Sequence, residues 1–288
     1  MIMNQADNVD SEIACAKINL ALHVRRRLPD GYHDIETIFA FLDEGDIVSV
    51  REGEGISLSI TGPFGDRLSA TYNLILDAAR LLATKVNIRP EAHIILDKRL
   101  PIASGIGGGS ADAAAALRLL NRFWDIGLVV EELAELSAPL GADVPACVLS
   151  QTCRGEGIGQ NLIPLNNGEM SGYFALLVNP LIPVSTAAIF QDWDGVDRGA
   201  LLSGSPMDVA LNGRNDLQPP AERLAPEISK ILTRLAETVP VMARMSGSGA
   251  TCFALYKTRD EARAARLKVT AVVSNASPNT WTMIGGLK

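Results

Sequence analysis

The chain carries two hydrophobic rhythms, and their order predicts a mixed α+β protein. Between residues 14 and 24, Ala14, Ala16, Ile18, Leu20, Leu22 and Val24 fall on one side, and Cys15, Lys17, Asn19, Ala21 and His23 on the other. That period of two predicts a strand with a single core face. Pro29, Asp30 and Gly31 form a turn signal leading into a second extended run at 33–42. Further strands are predicted at 47–51 and 56–60. Leu74, Ile75, Ala78, Leu81 and Leu82 recur at helical spacing, which predicts a helix over 73–86. A short strand at 93–96 precedes a glycine-rich segment. Helices follow at 111–124 and 131–140, the second closed by Gly141.

The second half has a different order. It reads as a strand at 173–178, a helix at 186–193, a long helix at 220–238, strands at 241–245 and 252–256, a helix at 260–269 and a strand at 280–284. This order resembles a ferredoxin-like split βαβ layer with an added helix. The glycine- and asparagine-rich stretch at 155–168 is the expected boundary, giving domains at 1–160 and 161–288.

Composition narrows the function classes. A length of 288 residues favours two domains, and 47% apolar residues suffice for real cores. The 33 acidic residues against 26 basic ones give a net charge of -7, a poor match to general nucleic-acid binding. A phosphorylated small molecule can still bind where cations or backbone N–H groups converge. Cys15, Cys147, Cys153 and Cys252 form no CxxC pair and are expected to be reduced thiols in a cytoplasmic protein. The first ten residues lack a secretory pattern, and no apolar run approaches the ~18 residues of a membrane span. With His23, His33 and His93 the only histidines, no metal cluster on the protein is expected.

Chemistry concentrates in four places. Gly105, Gly107, Gly108 and Gly109 lie between a strand and a helix that is expected to start at Ser110–Ala111. Glycines permit positive φ and close backbone approach, and a helix start offers free N–H groups to an anion. No lysine follows Gly109, so this is not a GxxxxGK[ST] loop. Ser110 stands where a GxGxxG fingerprint needs its third glycine. Lys17 and Asn19 share the non-core face of the first strand, where a lysine alone is ordinarily solvated, but the small or apolar neighbours on that face argue for a partly enclosed position. Asp143 lies in the stretch 140–145 (LGADVP), where Pro145 is expected to stop any continuation of the helix, and is either a turn cap or a rigidly presented carboxylate. The stretch 245–251 (MSGSGAT) read alone is a hairpin turn.

Together these motifs carry a resemblance. The stretch 101–111 (PIASGIGGGSA), with AKINLALHV before it and MSGSGATCFA after it, resembles the three ordered motifs of the GHMP kinases. The resemblance spans nearly the whole chain. It implies an N-terminal domain like ribosomal protein S5 and a ferredoxin-like C-terminal domain. The nucleotide would be ATP with Mg2+, held by Pro101, Ile102, Ala103, Ser104, Gly105, Ile106, Gly107, Gly108, Gly109, Ser110 and Ala111, with Asn73 and Lys98 near the adenosine. Asp143 matches the catalytic base and Lys17 its partner. Segments such as AKINL, DGYH, FLD, DKRLP and GADVP are similar to those of members that phosphorylate the 2-hydroxyl of a cytidyl diphosphate-linked methylerythritol, on a route to isoprenoid precursors. Asn19, Tyr32, His33, Thr186, Phe190, Gly247 and Ser248 then match substrate-binding positions, with Tyr32 and Phe190 walling the pyrimidine and His33 bonding its edge. Homoserine- or mevalonate-type kinases and a non-catalytic nucleotide-binding module are the alternatives. No nucleic acid, membrane or obligate protein partner is expected.

Overall fold

A computed structural model describes residues 10–166, 168–276 and 280–288; the signal-free reading of the chain's start falls, for residues 1–9, outside them. Two compact units emerge. Of the described residues, one comprises 10–15, 45–102 and 108–149, and the other comprises 16–44, 103–107 and those from 150 onward. Two long strands, β1 (Asp10–Arg27) and β2 (His33–Arg51), contribute residues to both.

In the first unit, β3 (Ile56–Thr61) runs parallel to β4 (Ala92–Asp97), which pairs antiparallel with residues 47–51 of β2. α1 (Leu74–Val86) packs on α2 (Gly108–Phe123), and α4 (Val144–Leu149) packs on α2 and on α3 (Val130–Ser137). The alanine run Ala113, Ala114, Ala115 and Ala116 is fully buried. Small side chains favour helix formation and let neighbouring helices approach α2.

In the second unit, residues 35–39 of β2 pair antiparallel with β5 (Cys153–Gly157), which turns back into β6 (Asn161–Pro164). A separate antiparallel sheet has the order β10-β7-β9-β8, built from β7 (Phe174–Asn179), β8 (Met242–Met245), β9 (Cys252–Tyr256) and β10 (Trp281–Gly286). α8 (Glu227–Ala236) and α9 (Arg259–Ala276) pack on that sheet. This is the ferredoxin-like arrangement expected from the sequence. Between β7 and α8 lie the short helices α5 (Thr186–Gln191), α6 (Pro206–Asn212) and α7 (Gln218–Leu224).

Several local expectations are corrected. β1 is buried on both faces from Ala14 to Val24, not on one. Its second face carries small and polar residues because backbone covers it closely: Lys17 N–H donates to the Ile106 carbonyl, and a Cβ on Gly213 would come within 2.7 Å of Ala21. The runs at 33–42 and 47–51 are one strand. The long helix at 220–238 is two, because Pro226 lacks an N–H and holds Ala225 out of helical geometry (φ −139°, ψ 82°). Pro145 does not stop a helix. It sits in the first turn of α4, where a missing N–H goes unnoticed. The stretch at 155–168 contains most of the β5–β6 hairpin.

Candidate active site

In the second unit, three chain-distant pieces converge on the middle of β1. Lys17 and Asn19 are 4% and 2% exposed. The Lys17 ammonium donates to Asn19 Oδ1 at 3.1 Å and lies 4.9 Å from the centroid of the Phe39 ring. Asn19 Nδ2 donates to Thr37 Oγ1 at 2.8 Å, and that hydroxyl donates to the Ala21 carbonyl. Every polar atom that fixes Asn19 is thereby used, so the side chain has one rotamer to adopt.

The loop 103–107 is bound to this strand and to the 246–251 turn. Ser246 Oγ accepts the Asn19 N–H at 3.1 Å and donates to the Gly105 carbonyl at 2.8 Å. Thr251 N–H donates to the Ser104 carbonyl. Gly105 has φ 76°, and a Cβ there would stand 2.5 Å from the Ser246 carbonyl oxygen; only glycine fits. Gly247, at φ 55°, is close to the Gly105 carbonyl: a Cβ there would stand only 3.0 Å from its oxygen. Asn215 Nδ2 donates to the carbonyls of Met245 and Gly247, both at 2.8 Å, and holds the turn from behind. Thr186 and Ser248 share a hydroxyl hydrogen bond of 2.8 Å.

A second cluster in this unit gathers around His33. Its ring lies 4.8 Å from Phe190, tilted 34°, and 5.7 Å from Trp193, edge-on at 82°. Burial, and then Arg27 nearby, lowers the pKa of His33, which keeps the imidazole neutral at pH 7. Tyr32 beside it is 60% exposed. The Trp193 indole N–H is buried with no hydrogen-bond partner among the described residues, a cost of about 1–3 kcal/mol that packing must offset.

The remaining sequence-predicted residues lie in the first unit. α2 opens at Gly108, not at Ser110–Ala111, so Gly108, Gly109 and Ser110 form its first turn, and Ser110 is the third helical residue instead of the residue before the helix. The first four N–H groups of a helix have no partner within it, and the dipole makes that end positive. Asn73 caps α1, its side chain accepting from Ile75 N–H. Asp143 is half-buried directly before α4, and its carbonyl accepts from Cys147 N–H. Lys98 is 2% exposed, with its ammonium 2.6 Å from both Asp46 and Asp112. The structure thus brings together Lys17, Asn19, Gly105, Ile106 and Gly247, as well as Thr186 with Ser248 and His33 with Phe190. Asp143 and Lys17 belong to different units.

Two family patterns match the sequence. The one described as GHMP kinases N terminal domain covers residues 73–151, and the one described as GHMP kinases C terminal covers 190–275. A 4-diphosphocytidyl-2-C-methyl-D-erythritol kinase from Rhizorhabdus wittichii is 48% identical over 96% of this chain and 94% of that protein. The chain belongs to the GHMP kinase family. A kinase of the same name from Novosphingobium aromaticivorans is also 48% identical, over 96% of this chain and 92% of its own length. A crystal structure of 4-(cytidine 5'-diphospho)-2C-methyl-D-erythritol kinase superposes with a TM-score of 0.75 at 30% identity, covering 96% of this chain and all of that one. A homoserine kinase from Cytophaga hutchinsonii shares the fold, with a TM-score of 0.73, at 15% identity over 100% of this chain and 97% of that one.

Within this GHMP kinase, sequence reasoning gave no role to Ser246, Asn215, Asp46, Asp112 and Trp193. Ser246 beside glycines reads as a turn residue, Asn215 with Asp216 is only one more short segment similar to the family's, and nothing local marks either as binding distant backbone. The partners of Asp46 and Asp112 are separated from them by 52 and 14 residues, beyond any periodicity argument. Among the described residues, no helix is long and apolar enough to cross a membrane.

Proposed function

We propose that this GHMP kinase transfers the γ-phosphoryl group of ATP to the 2-hydroxyl of 4-diphosphocytidyl-2-C-methyl-D-erythritol, a step toward isoprenoid precursors in the cytoplasm. The observation that carries this reading is the 48% identity, over nearly the full chain, to kinases of that name. The local geometry supports it. The glycine loop and the start of α2 offer backbone N–H groups suited to the phosphates of ATP. Pro101 to Ala111 form this cradle. Asn73 and Lys98 stand near the adenosine, Lys98 through its backbone because its ammonium is committed to Asp46 and Asp112.

Phosphoryl transfer demands positioning and charge stabilisation more than covalent chemistry. The acceptor hydroxyl must lose a proton as it attacks phosphorus. Asp143 is the group that receives it. Lys17, held by Asn19 and by the backbone of the loop, offsets the negative charge developing on the attacking oxygen and the transferred group. Mg2+ bound to ATP would supply charge neutralisation at the phosphates. Tyr32, exposed beside the His33–Phe190 pair, closes on one face of the pyrimidine, and His33 bonds its edge. Asn19, Thr186, Gly247 and Ser248 hold the rest of the acceptor. The functional halves are taken as 1–160 and 161–288.

The test is an acceptor panel with ATP. The cytidyl-linked acceptor is expected to turn over fastest. Faster phosphorylation of homoserine or mevalonate rejects the substrate, and no phosphorylation of any acceptor by a chain that binds ATP rejects catalysis.

A further inference from the structure

The Lys98 ammonium is buried and gives two of its three donors to carboxylates, yet the residue stands at the entrance of the glycine loop. Its position has a geometric meaning. β4 ends at Asp97, so Lys98, Arg99 and Leu100 are the last residues before the loop. Asp46, from β2, accepts the N–H groups of Arg99 and Leu100 on Oδ1 and the Lys98 ammonium on Oδ2. The same ammonium donates to Asp112 Oδ2. Asp112 lies in the second turn of α2, the helix that begins where the loop ends. A Cβ on Gly108, the first helical residue, would lie 3.1 Å from Lys98 Nζ. Both ends of the segment 101–107 are therefore tied to a single buried ammonium, one through Asp46 and the chain itself, the other through Asp112.

We propose that Asp46, Lys98 and Asp112 form a buried ionic staple that fixes the span of the phosphate loop, with Asp112 as a positioning residue for ATP. The inference rests on the reading of this loop as the ATP cradle. A lysine and two carboxyl groups buried in one dry site are an expensive way to hold two chain segments together if any geometry would serve. Asp112 Oδ1 is buried with no hydrogen-bond partner among the described residues, so the carboxyl group is not satisfied on its own account; Oδ2 accepts from the Lys98 ammonium. Apolar residues of similar volume would fill the space as well, but a hydrophobic contact slides, whereas two charge-assisted bonds of 2.6 Å do not. Backbone N–H groups that receive phosphates work only when they are already in place.

The staple can be opened on the helix side without leaving a lone charge. In Asp112→Ala, Lys98 and Asp46 remain a neutral pair, so the fold is expected to persist. ATP affinity, measured by calorimetry on the full chain, should fall about tenfold or more, and KM for ATP should rise with it. KM for the acceptor should stay within about twofold, and Asp112→Asn, which still reaches Lys98, should restore ATP binding. A structural residue with no link to the loop would lower Tm without separating the two KM values. If Asp112→Ala does not fold, Asp112→Ser, too short to reach Lys98, is measured in the same way. Unchanged ATP affinity in the shortened variant, or equal damage to both KM values, overturns the staple. Failure of the unaltered chain to bind ATP would instead overturn the reading of the loop.

Discussion

Two buried lysines, one in each unit, are held in opposite ways. Lys98 is closed between two carboxylates of its own unit. Burial alone would lower its pKa, but Asp112 and Asp46 outweigh that and raise it, so the ammonium is permanently charged and permanently occupied. Lys17 is equally buried, but within its unit it meets an amide oxygen and the face of an aromatic ring, and its own N–H binds the loop carbonyl of Ile106. The difference teaches what burial of a charge can serve. A lysine saturated by carboxylates holds chain segments; a lysine steered by an amide and a ring holds its charge at a defined place beside the loop.

The comparison breaks most visibly through the proposed chemistry. Asp143→Asn should lower kcat by roughly 10²- to 10⁴-fold with ATP affinity nearly unchanged. Lys17→Met should act on kcat in the same direction and leave Tm close to that of the unaltered chain. Steady-state kinetics and calorimetry together check both, and an Asp143→Asn protein of normal turnover removes that carboxylate from the mechanism.

Lys98→Met should do the reverse. It strands Asp46 and Asp112, and removing one partner of a buried ionic group costs about 3–5 kcal/mol. Urea denaturation should show a large loss of stability before any kinetic measurement is possible. A stable Lys98→Met protein with reduced kcat, alongside an unfolded Lys17→Met protein, would invert the assignment of the two lysines.

That contrast was only half legible in the sequence. Lys17 drew notice because its neighbours on one strand face are small or apolar, a local pattern. Lys98 is one charged residue in DKRLP, and the acids that enclose it come from β2 and from the second turn of α2. The elements themselves followed from periodicity wherever one face meets water, as in α1. Periodicity misled at β1, which is covered on both faces, and at α4, where a proline read as a stop is tolerated in the first turn. The glycine loop was recognisable from four clustered glycines, but its anchor points, Ser246 and Thr251, lie more than 140 residues away.

The acceptor end yields a smaller effect. Tyr32 is exposed and makes no part of the core, so Tyr32→Ala should leave stability unchanged. Losing one stacking wall should raise KM for the cytidyl acceptor by roughly tenfold, in line with the ~1–3 kcal/mol of a base stacked on an aromatic ring. KM for ATP should not move. An effect confined to ATP would take Tyr32 out of the pyrimidine clamp.

The smallest expected effect is the sharpest on the staple. One ammonium cannot neutralise two carboxylates, and burial raises the pKa of Asp112 well above the ordinary carboxylate range; Lys98 offsets this in part, and Asp46 adds to it. A carboxyl group whose folded pKa is raised binds its proton more tightly when folded. Its contribution is therefore full below the unfolded carboxylate pKa and is lost as pH rises through the raised value. Asp112→Asn carries no such group. Its stability should match that of the unaltered chain near pH 4 and exceed it at pH 8. Thermal melts of both proteins across that range read the difference directly. A gap that widens toward acid instead would mean that Asp112 gains more from Lys98 than it loses by burial, and that both carboxylates of the staple stay ionised.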